Sequence, residues 1–129
     1  MAMPDCVFDA SAVMARLKNE RGAEIIDARA PNAVMSAVNQ AEVVTKLVDL
    51  GVDPAAAAAA VSALGIEIAP FDSALAIRAG LLRATTRRRG LSLGDRACLA
   101  LAEATGLPAL TADHAWAELD LGVEVVLIR

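Results

Sequence analysis

The chain has 129 residues, a formal net charge of −4 and a hydrophobic fraction of 57%. This length fits one compact domain whose core needs no disulfide or structural metal, so we expect a single domain over residues 1–129. The mildly acidic balance argues against a protein that coats nucleic acid indiscriminately.

The N-terminus and the cysteines indicate a cytoplasmic protein. Residues 1–5 carry neither the basic nor the apolar region of a secretory signal. No stretch reaches the roughly 18 uncharged apolar residues of a membrane span, so we expect no membrane partner. Cys6 and Cys98 lie in apolar runs without C-x-x-C spacing. They are predicted to be small buried hydrophobes in a reducing compartment.

Short apolar runs alternate with helical patterns in the first half of the chain. The predicted elements are strands over 6–8 and 33–38 and helices capped by Ser11, over 40–50 and from Asp53 to Leu64. Gly51 is placed to stop the second of these helices. This alternation is typical of parallel strands joined by crossover helices.

The second half of the chain continues the same alternation. Its predicted elements are strands over 66–70, 108–111 and 123–128 and helices opened by Asp72, Ser92 and Asp113. The helix opened by Ser92 covers 93–105 and is closed by Gly106. The sequence therefore predicts an α/β fold, a three-layer α/β/α sandwich with a mainly parallel central sheet.

Four acidic residues stand where a predicted strand ends or a predicted helix begins: Asp9, Glu42, Asp95 and Asp113. Open parallel sheets bind ligands at the carboxyl ends of their strands, which is where Asp9 and Asp113 fall. If the four side chains converge there, their mutual repulsion would imply a bound divalent cation. That pattern points toward metal-assisted phosphoryl chemistry.

Each of these acids also has a purely structural interpretation. Ser92-x-x-Asp95 matches a capping box, Asp113 can cap its own helix, and acids favour first helical turns generally. Asp9 is the hardest to explain in this way, because a carboxylate directly after a buried strand carries a desolvation cost. Spacing alone leaves both interpretations open.

The segments around the four acids resemble a known family. VFDASA around Asp9, NQAEV around Glu42, LSLGDRACLALA around Asp95 and LTADHAW around Asp113 resemble the PIN-domain ribonucleases, and most closely the VapC toxins of bacterial toxin–antitoxin pairs. The resemblance covers nearly the whole chain, and the four motifs occur in the family's order.

This resemblance implies a Mg²⁺- or Mn²⁺-dependent endoribonuclease whose four acids are both catalytic residues and metal ligands. It implies cleavage by a metal-activated water that leaves a 5′-phosphate and a 3′-hydroxyl. It also implies a homodimer and a small VapB-like antitoxin partner. The donor chemistry agrees, because oxygen ligands suit Mg²⁺ or Mn²⁺, whereas one histidine and two dispersed cysteines cannot build a zinc site.

Two further groups of residues are assigned roles around this site. Neutral polar residues beside the acids are expected to orient them by hydrogen bonds: Ser11, Asn39, Ser92 and Thr111. RNA contacts are assigned to four arginines, although such a charge run is also compatible with a solvated loop: Arg87, Arg88, Arg89 and Arg96. His114 is interpreted as an exposed first-turn residue rather than a general base.

Two alternatives from other functional classes remain at this point. One is a catalytically silent protein-binding module in which the acids only cap helices. The other is a phosphoacceptor receiver-like domain, which shares the architecture and an acidic magnesium pocket. The chain lacks that domain's paired acids after the first strand and its lysine after the penultimate strand.

Overall fold

A computed structural model describes residues 3–129 and contains one five-stranded sheet. The strands are β1 Cys6–Phe8, β2 Ala33–Ser36, β3 Glu67–Ala69, β4 Ala109–Thr111 and β5 Val125–Leu127. They lie in the order β3-β2-β1-β4-β5, and every neighbouring pair is parallel. The predicted parallel α/β architecture is confirmed.

Within residues 3–129, six helices surround this sheet. They are α1 Ala10–Leu17, α2 Ala23–Arg29, α3 Ala37–Asp49, α4 Pro54–Ala63, α5 Ser73–Thr86 and α6 Leu93–Thr105. Short 3₁₀ segments cover Ala30–Asn32, Arg87–Arg89 and His114–Glu118. None of the helices in residues 3–129 combines the length and the apolarity needed to cross a bilayer.

The side chains of each strand point alternately into two separate cores, one on each face of the sheet. Phe8 lies in the core under α1 to α4, whereas Val7 lies in the core under α5 and α6 with Trp116. This alternation follows from the two-residue period of a strand. Helices therefore cover both faces, as the sandwich prediction requires.

The start of α3 differs from the prediction. The second strand stops at Ser36 instead of continuing to Val38, because the Ser36 hydroxyl accepts a hydrogen bond from the Val38 N–H at 3.2 Å and caps the helix. The helix consequently begins at Ala37. Asn39 and Glu42 thus lie three residues apart on one helical face.

The capping of α1 also differs from the prediction. Asp9, not Ser11, is the N-cap: its Oδ1 accepts from the Ala12 N–H at 2.8 Å. Ser11 lies inside the first turn instead. The predicted caps Asp53, Asp72, Ser92 and Asp113 are confirmed.

Helix α2 was not predicted, because no capping side chain marks its start. Its N-cap is Gly22, whose φ of +97° lies in the left-handed region, and a Cβ built there would lie 2.7 Å from the Ile128 carbonyl oxygen. Glycine alone suits this backbone and this close approach. The helix therefore depends on packing against the end of the chain, which sequence periodicity does not report.

Candidate active site

The four predicted acids line one cavity at the carboxyl edge of the sheet. Its volume is about 200 Å³, and its lining residues are Asp9, Ala10, Ser11, Asn39, Glu42, Lys46, Asp95 and Asp113. β1 and β4 are neighbours in the sheet, so the residues that follow them emerge side by side. α3 and α6 begin at the same edge and bring Glu42 and Asp95 to it. The four acids therefore converge on one cavity, as predicted.

Asp9 is held at the base of this cavity by a dense set of donors. Only 4% of its surface is exposed. Its carboxylate accepts from the Ser11 hydroxyl at 2.8 Å and the Thr111 hydroxyl at 2.5 Å, besides the Ala12 N–H. The Ser11 oxygen in turn accepts from the Ala112 N–H at 2.9 Å. α1 and the end of β4 are thereby tied together around one carboxylate.

Burial raises the pKa of Asp9 from 3.8 to about 6. The hydrogen bonds from Thr111, Ala12 and Ser11 favour the charged form and lower the pKa, but they do not outweigh desolvation, and the nearby Asp95 charge raises it further. The ionised carboxylate is therefore costly in the protein alone. A cation in the cavity would offset that cost.

Glu42 is fixed by Asn39 and Gly94. The Asn39 Nδ2 donates to Glu42 Oε1 at 2.8 Å and to the Gly94 carbonyl at 3.0 Å. A Cβ built on Gly94 would overlap both carboxylate oxygens of Glu42. The absence of a side chain at Gly94 thus makes room for this carboxylate beside the start of α6. Asn39 Oδ1 is buried and has no hydrogen-bond partner among the described residues.

Asp95 has a structural role and faces the cavity as well. Its Oδ2 accepts from the Ser92 N–H at 2.9 Å, and its own N–H donates to the Ser92 hydroxyl at 3.1 Å. The predicted capping box is confirmed, and Asp95 still lines the cavity. Cys98, one turn further along α6, is fully buried; burial raises the pKa of its thiol, and the charges of Asp9, Asp95 and Glu42 raise it further. Cys98 therefore lies close to three of the acids.

Asp113 lies at the outer rim of the cavity. It is exposed, it accepts from the Ala115 N–H at 3.0 Å, and its own N–H donates to the Thr111 hydroxyl at 3.0 Å. His114 is exposed, does not line the cavity, and contacts the Arg129 carbonyl through Nε2 at 2.7 Å. The interpretation of His114 as an exposed first-turn residue is confirmed.

The predicted arginines do not line the acidic cavity. Arg87, Arg88 and Arg89 line a separate open cavity of about 410 Å³ at the end of α5. Arg89 forms an ion pair with Glu118. Arg96 is half-buried and donates from Nη1 to the Ala79 carbonyl at 2.9 Å, a contact that joins α6 to α5.

The sequence analysis did not single out Ala10 and Lys46, which line the cavity, or Gly94, which lies against Glu42. Gly94 precedes Asp95, and its contact with Glu42 depends on how α3 and α6 pack. Lys46 follows Glu42 by four residues, and among the described residues it is the one cationic side chain that lines the cavity. The four-residue spacing is a usable signal for Lys46, because i and i+4 share a helical face. No local signal marks Gly94.

The donor set fits a hard divalent cation, but the side chains do not enclose one unaided. Within residues 3–129, no three His, Cys, Asp or Glu side chains are arranged to hold a metal ion by themselves. Mg²⁺ commonly keeps several waters and takes only one or two carboxylates, and the cavity has room for water. The carboxylates, and the buried Asn39 oxygen that has no partner among the described residues, are donors that suit an oxygen-coordinated ion.

Comparisons with known proteins agree with this fold. The family model described as PIN domain matches residues 6–121. The chain is similar in structure to a toxin–antitoxin complex from Klebsiella pneumoniae, with a TM-score of 0.77 and 22% identity over 97% of this chain and 98% of that one.

Two structures from Mycobacterium tuberculosis are also similar to the chain. VapC20, described as a sarcin–ricin loop cleaving toxin, has a TM-score of 0.72 and 18% identity over 92% of this chain and 98% of that one. VapBC-5 has a TM-score of 0.60 and 25% identity over 98% of this chain and 99% of that one. No curated protein sequence matches the chain significantly.

Proposed function

Because the chain belongs to the PIN-domain family, we propose that it is a Mg²⁺- or Mn²⁺-dependent endoribonuclease, the toxin of a VapBC-type toxin–antitoxin pair. The observation that carries this proposal is the single cavity lined by Asp9, Glu42, Asp95 and Asp113. PIN domains generally use a divalent metal ion, and this cavity offers the oxygen donors that such an ion prefers.

The roles of the acids follow from their positions. Asp9 and Asp95 are the principal ligands in this proposal, because the charge of Asp95 acts on the buried Asp9 carboxylate. Glu42 and Asp113 would hold a second ion, act through water or orient the attacking water. When bound, the divalent cation supplies an activated water and stabilises the charge that develops on the phosphate.

The neighbouring polar side chains position these carboxylates. Ser11 and Thr111 donate to Asp9, which fixes its orientation and favours its ionised form. Asn39 does the same for Glu42, and Ser92 fixes Asp95 through the capping box. Attack in line with the leaving 3′-oxygen then yields a 5′-phosphate and a 3′-hydroxyl.

RNA recognition relies on the backbone more than on base stacking. Two of the three aromatic residues, Phe8 and Trp116, are fully buried. Arg87, Arg88 and Arg89 are exposed and offer guanidinium groups to phosphates. Arg96 uses Nη1 in its hydrogen bond to the Ala79 carbonyl. Its remaining guanidinium N–H groups are the proposed contact to RNA phosphates.

The proposed partners come from the similar structures. The Klebsiella pneumoniae structure is a toxin–antitoxin complex, and a VapBC from Salmonella typhimurium is described as DNA-bound. We therefore propose a small VapB-like antitoxin as the partner, together with a homodimer of this chain in the cytoplasm. The single domain over residues 1–129 is part of the same proposal.

The proposal is tested by incubating the purified protein with total cellular RNA and either Mg²⁺ or Mn²⁺. We expect cleavage that is abolished by a chelator and by Asp95→Asn, with 5′-phosphate ends on the products. Cleavage that survives both controls would refute the metal mechanism. A complete lack of cleavage by the wild type, with no Mn²⁺-dependent thermal shift, would favour the silent binding module instead.

A further inference from the structure

Lys46 lies at the junction of three adjoining cavities. It lines the acidic cavity, an open cavity shared with Met14, Lys18, Asp49 and Leu50, and a third along α3 shared with Val38, Ala41, Glu42, Thr45 and Asp49. Among residues 3–129, no other residue lines all three. Anything that extends out of the acidic cavity along α3 must therefore pass this side chain.

The ammonium group of Lys46 is available for a ligand. The residue is exposed, and within residues 3–129 it forms neither a hydrogen bond nor a salt bridge through its side chain. Glu42, one turn earlier, is turned instead toward Asn39 and Gly94. Lys46 therefore forms no ion pair with Glu42, nor, among the described residues, with Asp49 three residues further along α3.

The surroundings of Lys46 continue as a groove between α1 and α3. Ser11, Met14 and Lys18 follow each other on one face of α1 at helical spacing, and they run away from Asp9. Met14 and Leu50 give the cavity beside Lys46 an apolar wall. Asp49 and Lys18 also line this cavity, and Lys18 is paired with Glu20 at 3.4 Å. An apolar wall beside the Lys46 ammonium group suits a nucleotide, which has a flat apolar base and a phosphate.

We propose that Lys46 binds the phosphate next to the scissile one and directs the RNA strand from the acidic cavity into the α1–α3 groove. This inference rests on the proposed function, because it takes the substrate to be RNA. A polyanion entering a cavity with four carboxylates meets repulsion, and Lys46 is the one cationic side chain in its lining that counters it. Lys46 acts on binding and not on the bond that breaks.

The test compares Lys46→Gln with wild type on a short single-stranded oligoribonucleotide. We expect KM to rise by about fivefold with kcat within twofold, because an exposed ion pair contributes equally to substrate and transition state. Lys46→Arg should restore KM. The matched control is Arg21→Gln, an exposed cation beyond the far end of α1 that lines none of these cavities, and it should leave KM unchanged.

A second readout does not depend on catalysis. Binding of the same oligoribonucleotide is measured by fluorescence anisotropy against KCl concentration in Asp95→Asn and in Asp95→Asn with Lys46→Gln. The slope of log affinity against log salt should fall by about 0.7, the value for one phosphate contact on a single strand. Mn²⁺ affinity of Lys46→Gln should be unchanged or tighter, since a nearby positive charge has been removed.

An unchanged KM and salt slope, a loss confined to kcat, or a weakened Mn²⁺ affinity would each overturn the assignment of Lys46. These outcomes are distinct from failure of the proposed function. If the wild type cuts RNA in the presence of metal and Lys46→Gln behaves identically, only the assignment of Lys46 is refuted. If the wild type neither cuts nor binds RNA, the proposed function itself is refuted.

Discussion

The acidic cavity and the arginine segment were both predicted from sequence, but the structure supports them very differently. Asp9 is buried and accepts hydrogen bonds from three different residues. Arg87, Arg88 and Arg89 form one exposed turn, and one of the three is already paired with Glu118. The cavity is assembled from four elements, whereas the arginine segment is a local run of charge.

This contrast shows which kind of sequence pattern indicates a functional site. Four acids far apart in sequence reach one cavity because the sheet edge and two helix starts meet there. Adjacent arginines need no tertiary structure to be adjacent, so their proximity carries little information. Single substitutions in the cavity are therefore expected to have larger effects than replacement of the whole arginine segment.

The largest effect is expected from Asp9→Asn. Losing a principal ligand should lower the cleavage rate on the order of a thousandfold, since metal stabilisation of the transition state is worth several kcal/mol. The same change should raise the melting temperature of the metal-free protein at pH 7, because the amide carries no buried charge. Initial rates and thermal melts measure the two effects, and an Asp9→Asn protein that still responds to Mn²⁺ like the wild type would contradict the assignment.

The pKa of Asp9 predicts how the stability of the metal-free protein depends on pH. The folded-state pKa of about 6 lies above the ordinary value of 3.8, so between these values the folded state binds more protons than the unfolded state. The contribution of Asp9 to stability is therefore present below about pH 4 and is lost as the pH rises through 6. The loss is about 3 kcal/mol.

Urea unfolding of wild type and Asp9→Asn between pH 4 and pH 7 isolates this contribution. Other titrating groups are common to both proteins, so the difference between the two stabilities should widen in favour of Asp9→Asn as the pH rises. A constant difference across this range would show that Asp9 ionises normally.

Gly94→Ala should have the next largest effect. A methyl group there overlaps the Glu42 carboxylate, so Glu42 must move, and metal affinity is expected to fall by about 10- to 100-fold, as for other losses of ligand positioning. Gly80→Ala on α5 is the matched control, because a Cβ there meets nothing within 4 Å. Gly80→Ala should leave Mn²⁺ affinity unchanged and stabilise the helix by up to about 1 kcal/mol. Equal Mn²⁺ affinity in both variants would exclude a role for Gly94.

The smallest effect is expected from replacing Arg87, Arg88 and Arg89 together with alanine. If all three contact phosphates, the salt slope of RNA binding should fall by about 2, while Mn²⁺ affinity stays unchanged. Anisotropy titrations at several KCl concentrations measure the slope. A slope equal to that of the wild type would remove the arginine segment from the RNA surface.

The elements that could be predicted from the sequence are those that depend on neighbouring residues in the chain. β1 was predicted because three apolar residues precede Asp9, and α6 because Ser92 and Gly106 mark its ends; the structure confirms both. One prediction from capping residues was wrong, because Ser11 was predicted to cap α1. Asp9 takes that position and leaves Ser11 free to bridge Asp9 and Thr111.

What could not be predicted depends on contacts between distant elements. Gly94 matters because α6 brings it against Glu42 on α3, and the start of α2 requires glycine because Gly22 lies against Ile128. Lys46 differs from both, because its four-residue spacing from Glu42, an acid predicted to lie in the site, was visible in the sequence and places it on the same face of α3. The contacts of Gly94 and Gly22 follow only from the three-dimensional packing of distant segments.

The central claim is that one pocket of carboxylates binds the divalent ion. It is tested most directly by calorimetric titration of Mn²⁺ into wild type, Asp9→Asn, Asp95→Asn and Asp120→Asn; Asp120 is exposed and lines none of the cavities described here. The account predicts that Asp9→Asn and Asp95→Asn lose Mn²⁺ binding while Asp120→Asn binds it like the wild type. Wild-type affinity in all three variants would contradict it.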